Sequence, residues 1–331
     1  MNKKLISIVA LIMCVIFAGG CFGTNTAVQT KKDVTTIAEI MAGDDYKNYV
    51  NLAKFSDVSY KLGSVPQSSI CAKAAETLPE SRFSDASVCK AGDKIAASYS
   101  CTFGSIKLAE KENFAFILGS GTMAKEIEDA IIEKALEKGK ENEFKVTEKL
   151  DLGLAAPVER ELNVKITVTD IKHCELTEEE LKNAETALLE ETAKELAWNS
   201  YLNISKVKTW TQTVLDAIKE SKRKSDSYFA SVYGKDVTAA ELTGLTAEKY
   251  EDVVSAYADK RYAEDLITAI LIKDNAKICA LTAEEKEAAI KDYAAILGVD
   301  ISKLSESDKT QVEEQLKKEK IKQYIYDQSK A

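Results

Sequence analysis

Between Val88 and Glu175 apolar and polar residues alternate with a period of two, and after Leu176 the period lengthens to that of helices. KIAASYSCTF (Lys94–Phe103), NFAFILG, NEFKVTEKL and ELNVKITVTDIKHCE each set β-prone residues at every second position, and each predicts a strand. One helix interrupts them. KEIEDAIIEKALEK (Lys125–Lys138) places Ile127, Ile131, Ala135 and Leu136 on one face, with Gly139 as its expected stop. Beyond Leu176 the pattern predicts helices to the end, one of them carrying Tyr250, Val253, Val254, Tyr257, Leu266, Ile267, Ile270 and Leu271 as a packing stripe. Trp198 and Trp210 are expected as helix–helix anchors, and the charge runs Lys219–Asp226 and Glu313–Gln323 as solvated faces. Ahead of Val88 the texture is mixed, with a short strand expected over VSYKLGSV (Val58–Val65).

The stretch NFAFILGSGTMAKEIEDAI (Asn113–Ile131) joins a strand to a helix through Gly-Ser-Gly, the local plan of a phosphate-binding loop. It lacks the Lys-Ser/Thr that grips phosphate and magnesium, and it has no G-x-G-x-x-G, so no nucleotide is expected. Its glycines are read instead as a sharp turn from the sheet edge into the helix.

Composition narrows the function classes. With 331 residues, 45% hydrophobic, 30% charged and three prolines, the chain suits two or three domains with sizeable cores. Its formal charge is −9, and lysines interleave with glutamates, which argues against a nucleic-acid partner. A single histidine, His173, removes His-rich metal sites and, with no recognisable nucleophile motif beside it, argues against a His-dependent triad; it is expected in solvent at a strand end. There is no CxxC, so neither a metal nor a cofactor is expected.

Lys3 and Lys4 precede an apolar run, Leu5–Phe17, too short to span a bilayer comfortably but suited to a secretory signal. Ala18-Gly19-Gly20-Cys21 resembles the lipobox of bacterial lipoproteins, which implies cleavage and lipidation at Cys21 and attachment to the outer face of the cytoplasmic membrane. The polar GTNTAVQTKKD then reads as a tether. Cys71, Cys89, Cys101, Cys174 and Cys279 remain; being odd in number, they leave at least one thiol unpaired.

The order of elements carries a family resemblance. AGDKIAASYSCTF, the F-x-F-x-L-G-S-G turn, the helix with its closing Gly139, and LNVKITVTDIK together resemble the FKBP-type peptidyl-prolyl isomerase domain in the variant found in trigger factor. Asp226–Val299 and KIKQYIYDQSKA resemble the trigger-factor C-terminal chaperone domain; the ribosome-binding domain has no counterpart, so no ribosome partner is implied. The implied fold is α+β, a small antiparallel sheet wrapped on one short helix, followed by an all-α domain. The implied boundaries are signal 1–20, tether 21–35, a lead-in segment 36–87 packed on the sheet or helical domain, an FKBP-like domain 88–175 and a helical domain 176–331.

By that resemblance a peptide pocket is implied at Tyr99, Phe114, Met123, Ala124, Ile127 and Ile166, with no covalent catalytic residue, since isomerisation needs an apolar pocket that desolvates the twisted imide. Ile127 stands where the family has tryptophan, GSIKLAEKEN (Gly104–Asn113) lacks the family's aspartate, and EKLDLGLAAPVEREL (Glu148–Leu162) lacks the pocket tyrosine. Two functions stay open: an exported isomerase or chaperone for unfolded or newly translocated polypeptide and its X-Pro segments, or a non-catalytic surface lipoprotein that binds peptide or protein. The family's antiparallel register also implies a Cys89–Cys174 disulfide.

Overall fold

The computed structural model describes residues 36–329, so the expected signal, Cys21 and the tether lie outside the described residues. The chain opens with α1 (Ile37–Ala42), β1 (Val50–Asn51), α2 (Gln67–Ala75) and β2 (Ser84–Asp85). A sheet segment follows: β3 (Lys94–Phe103), β4 (Ile106–Ile117), α3 (Lys125–Glu133), β5 (Glu141–Leu150) and β6 (Val158–His173). The rest is α4 (Glu178–Ile204), β7 (Lys206–Val207), α5 (Gln212–Tyr233), α6 (Ala239–Thr243), α7 (Ala247–Asp274), α8 (Ala283–Leu297) and α9 (Glu306–Ser329). The architecture is therefore a curled antiparallel sheet with a helical C-terminal region.

In the sheet β6 is central. It pairs with β3 along Asn163–Lys172, and on its other side first with β5, from Val158 to Thr167, and then with β2 at Lys172 and His173. β3 pairs onward with β4, which is the edge. The strand β4 starts far earlier than the alternating NFAFILG. Lys107, Glu110, Lys111 and Glu112 lie in it and exposed, so the charges that hid the strand from sequence reading are also what keeps an edge from pairing with another chain.

The helix α3 ends at Glu133, short of the expected Lys138. Ala135 adopts φ +47°, Leu136 donates its N–H back to Ile131, and its carbonyl accepts from Cys89, so the last expected turn is recruited into a bridge with the segment at Val88. The strand expected over Val58–Val65 is absent; those residues pair in no ladder, and Val58 is buried in the helical core.

Two main cores result. One gathers Ile127, Ile131 and the inward residues of β3, β4, β5 and β6. The other joins Trp198, Tyr201, Tyr262, Leu266 and Ile321 from α4, α7 and α9. The expected stripe on α7 is packing: Val253, Val254, Leu266, Ile267, Ile270 and Leu271 are all buried. Trp198 is buried on α4 as expected of an anchor, whereas Trp210 lies in the loop before α5 and stacks on Tyr262 of α7 at 5.1 Å. The lead-in segment serves both units, with Ile40, Tyr49 and Val50 in the helical core, α2 packed on α4 through Ile70, Ala74 and Ala184, and β2 added to the sheet.

Parts of the charge runs depart from the solvated faces expected of them. Lys222 and Asp226 are buried together at 2.7 Å, with the Tyr250 hydroxyl donating to the same carboxylate. Lys322, 3% exposed, pairs with Glu195 at 2.7 Å. Helical spacing turned two charges of the first run and one of the second inward, and each found an opposite charge because an unpaired buried ion is costly.

His173 sits at the end of β6 as expected, but it is bonded rather than simply solvated: its Nδ1 lies 2.6 Å from the carboxylate of Asp93, which is 1% exposed and also accepts from the Lys90 N–H. The expected Cys89–Cys174 bridge is not formed, and all five cysteines in the described residues are free. Cys89 belongs to the sheet core beside Leu136 and Cys174 follows the end of β6; both thiols are buried and both feel the Asp93 carboxylate, yet they remain separate thiols. Among the described residues no helix is long and apolar enough to cross a membrane.

Burial pushes the Cys89 thiol up to about 12, leaving almost no thiolate near neutrality. Iodoacetamide labelling at about pH 8 with peptide mapping is expected to modify half-buried Cys71 first and Cys89 only after unfolding; early labelling of Cys89 would contradict this burial.

Asp93 gives a pH signature. Burial lifts its carboxyl above the ordinary value, outweighing the downward pull of His173 and the Lys90 N–H. An acid raised in the folded state takes up a proton on folding, so its contribution is full below the unfolded pKa and fades as pH rises through the folded one. Urea midpoints for Asp93→Asn are therefore expected to improve relative to the parent between about pH 4 and about pH 7, and a pH-independent difference would count against it.

Candidate functional site

The inward face of the sheet is covered by α3 at one end. Ile127 and Ile131 are buried there in one cluster with Ile95, Leu118, Ile166 and Val168. The chain enters α3 from β4 through the glycine turn, Gly119 to Met123, and that turn is organised by Glu128. Its carboxylate, 2% exposed, accepts the N–H of Gly119 at 2.7 Å, of Gly121 at 3.1 Å and of Met123 at 2.7 Å. Burial lifts the Glu128 carboxyl above its ordinary range, and the donated backbone groups of the turn pull it back. The turn thus does cradle an anionic group, but the group is its own helix's carboxylate, and those amides are unavailable to a phosphate.

Gly119 is required by space as well as by backbone geometry. Its φ is +97°, and a Cβ there would stand inside van der Waals contact of the Ser68 carbonyl on α2. The turn is therefore wedged between α2 and α3.

All six residues implied as a pocket come together on this face. Met123, Ile127 and Ile166 are 8%, 3% and 1% exposed, and form a filled floor. Tyr99, Phe114 and Ala124 are half-buried against the same cluster and form its accessible rim. The rings of Tyr99 and Phe114 stand 5.9 Å apart, and Phe114 continues to Phe116 at 5.6 Å, an aromatic ladder along β4. Burial raises the Tyr99 phenol, which stays a neutral donor. The result is a shallow aromatic saddle over a packed apolar base, chemically suited to hold an apolar side chain by contact.

Past the saddle the same face is covered by the helical region. Arg160 of β6 pairs with Glu148 and donates to the Leu242 carbonyl of α6, with its guanidinium 5.6 Å from the Phe103 ring centre. Phe103 packs where Gly244, at φ +77°, leaves no side chain; a Cβ there would meet the ring at 3.1 Å. Helix α5 also reaches β4.

A cleft of about 360 Å³ lies on the outer side of the glycine turn, between α2, α3 and α4, and does not include Tyr99 or Phe114. Both of its lysines are paired within it, Lys73 with Glu191 and Lys125 with Asp129. Among the described residues no group of three or more potential metal ligands is present.

Sequence reasoning missed Glu128 and Arg160. For Glu128 a signal existed: it takes the i+4 position after Ala124 on the apolar stripe, where a glutamate needs a buried partner. Arg160 had none, because its partner Leu242 lies 82 residues away.

No family model and no curated protein matches the chain. Among solved structures, a trigger factor chaperone, studied for promiscuous substrate recognition in folding and assembly, aligns over 83% of this chain and 72% of its own at 14% identity, with a TM-score of 0.37. A likeness of that size sets no residue correspondence.

Removing the acceptor from the turn should destabilise the protein. Glu128→Ala is expected to lower unfolding free energy by about 2–4 kcal/mol in urea titration, with Gly119→Ala also destabilising; a change within about 0.5 kcal/mol for Glu128→Ala would show that the turn holds itself.

Proposed function

We propose that this chain is an exported, lipid-anchored folding factor that holds unfolded polypeptide, taking apolar X-Pro segments on the saddle of Tyr99, Phe114 and Ala124. The observation that carries the reading is the convergence of those residues into one accessible aromatic rim above the buried Met123, Ile127 and Ile166. The resemblance to FKBP and trigger-factor domains supports the same client class, and the lipobox-like Ala18-Gly19-Gly20-Cys21 supports the anchor.

The filled floor favours holding over turnover. Isomerisation benefits from a pocket deep enough to strip water from the imide, and here Ile127 and Ile166 are already covered. Binding without catalysis is thus the better-supported half, and isomerase activity the second reading.

Anisotropy of a labelled apolar X-Pro peptide and suppression of aggregation of an unfolded client test the proposal. Tyr99→Ala and Phe114→Ala are each expected to weaken peptide binding by about fivefold to tenfold. A protein that neither binds the peptide nor delays aggregation is not a holdase. A faster approach to cis/trans equilibrium than the uncatalysed tens to hundreds of seconds would restore the isomerase reading.

A further inference from the structure

The ladders of β3 set a charge on the saddle. Directly opposed residues of an antiparallel pair project to the same face, and the partners of Tyr99 are Ile166 on one side and Lys111 on the other. The rows before and after it, Phe114–Ala97–Val168 and Ala109–Cys101–Val164, are apolar throughout. Lys111 is thus the one charged residue in these three rows, and it is exposed although Tyr99 beside it is half-buried, so the face is open to solvent at that point. Lys107, on the same strand, lies opposite Thr102 on the other face and pairs with Glu110; Lys111 has no ion pair or hydrogen bond among the described residues.

The backbone imposes this placement. Between the pairs Ala97–Phe114 and Tyr99–Lys111, β4 holds one residue more than β3, a bulge at Asn113, whose φ is +48° and whose N–H is held by the Ser98 hydroxyl at 3.3 Å. Counted from Phe114 without the bulge, the residue opposite Tyr99 would be Glu112. A left-handed asparagine, a conformation uncommon outside glycine, therefore exchanges an anion for a cation at the rim. We infer that Lys111 is a specificity-determining residue of the peptide site: its ammonium takes the carboxylate of an Asp or Glu adjacent to the apolar side chain seated on Tyr99 and Phe114, so the favoured client segment is apolar with an acidic neighbour. This inference rests on the proposed peptide-binding reading. A lysine stem can lie along an apolar rim and keep its ammonium in water, and no acid in those rows competes for it. The formal charge of −9 opposes anionic peptides at a distance, so the preference is local and is read by comparing variants with the parent.

The test uses the full chain and two dansyl-labelled apolar peptides that differ only in glutamate against glutamine beside a Leu-Pro pair, with binding read by anisotropy. Lys111→Met is expected to weaken the glutamate peptide about threefold to fivefold more than the glutamine peptide, and Lys111→Glu to turn the preference toward glutamine. The parent's preference shrinks in about 1 M salt, where charges a few ångströms apart are screened. Lys107→Met, which removes a cation from the same strand on the other face, keeps the preference. Should Lys111→Met not fold, Lys111→Gln removes the same charge. If Tyr99→Ala abolishes binding while Lys111→Met or Lys111→Gln weakens both peptides equally or neither, the inference fails and the saddle stands. The same loss in Lys107→Met, or a preference unchanged by salt, also overturns it. A parent protein that binds neither peptide removes the saddle reading itself.

Discussion

A mismatch of length governs the sheet unit. Helix α3 has nine residues, about 13 Å of axis, whereas β3 has ten and β6 sixteen, about 33 and 53 Å when extended. One short helix cannot shield the apolar face of such strands. The uncovered part must be buried by something else, because exposed apolar area of that size drives association. Here the α5–α6 corner covers the far end through Phe103, Gly244 and Arg160, and the Tyr99–Phe114 saddle is what remains between the two covers.

That geometry assigns each special residue a mechanical role. Glu128 holds the turn that aims α3 at the sheet, and Gly119 lets the turn approach α2. Arg160 spans sheet and helix, and its partners satisfy a guanidinium that is largely withdrawn from water. Lys222 with Asp226 and Lys322 with Glu195 perform the same kind of service inside the helical region. Breaking one partner of such a pair leaves a buried charge behind, which costs more than the pair itself contributes.

Much of this was legible along the chain. The strand Lys94–Phe103 follows its alternation to the residue, and the long α7 follows its apolar stripe, because side-chain period translates directly into which face is buried. The start of β4 was illegible since an edge strand needs no apolar alternation, and the early end of α3 was set by a bridge to a segment about fifty residues upstream in sequence. The six rim and floor residues were reached through a family resemblance rather than through spacing. Their separation into a filled floor and an accessible rim could only come from packing.

What the sequence determined by itself is therefore periodic and local: strands, helices, and the absence of a phosphate-gripping lysine after the glycines. What only the tertiary structure decided is which charges are buried, where the glycine turn's amides are used, and which distant helical corner docks on Phe103 and Arg160. These depend on contacts between residues tens of positions apart, and side-chain period carries no record of them.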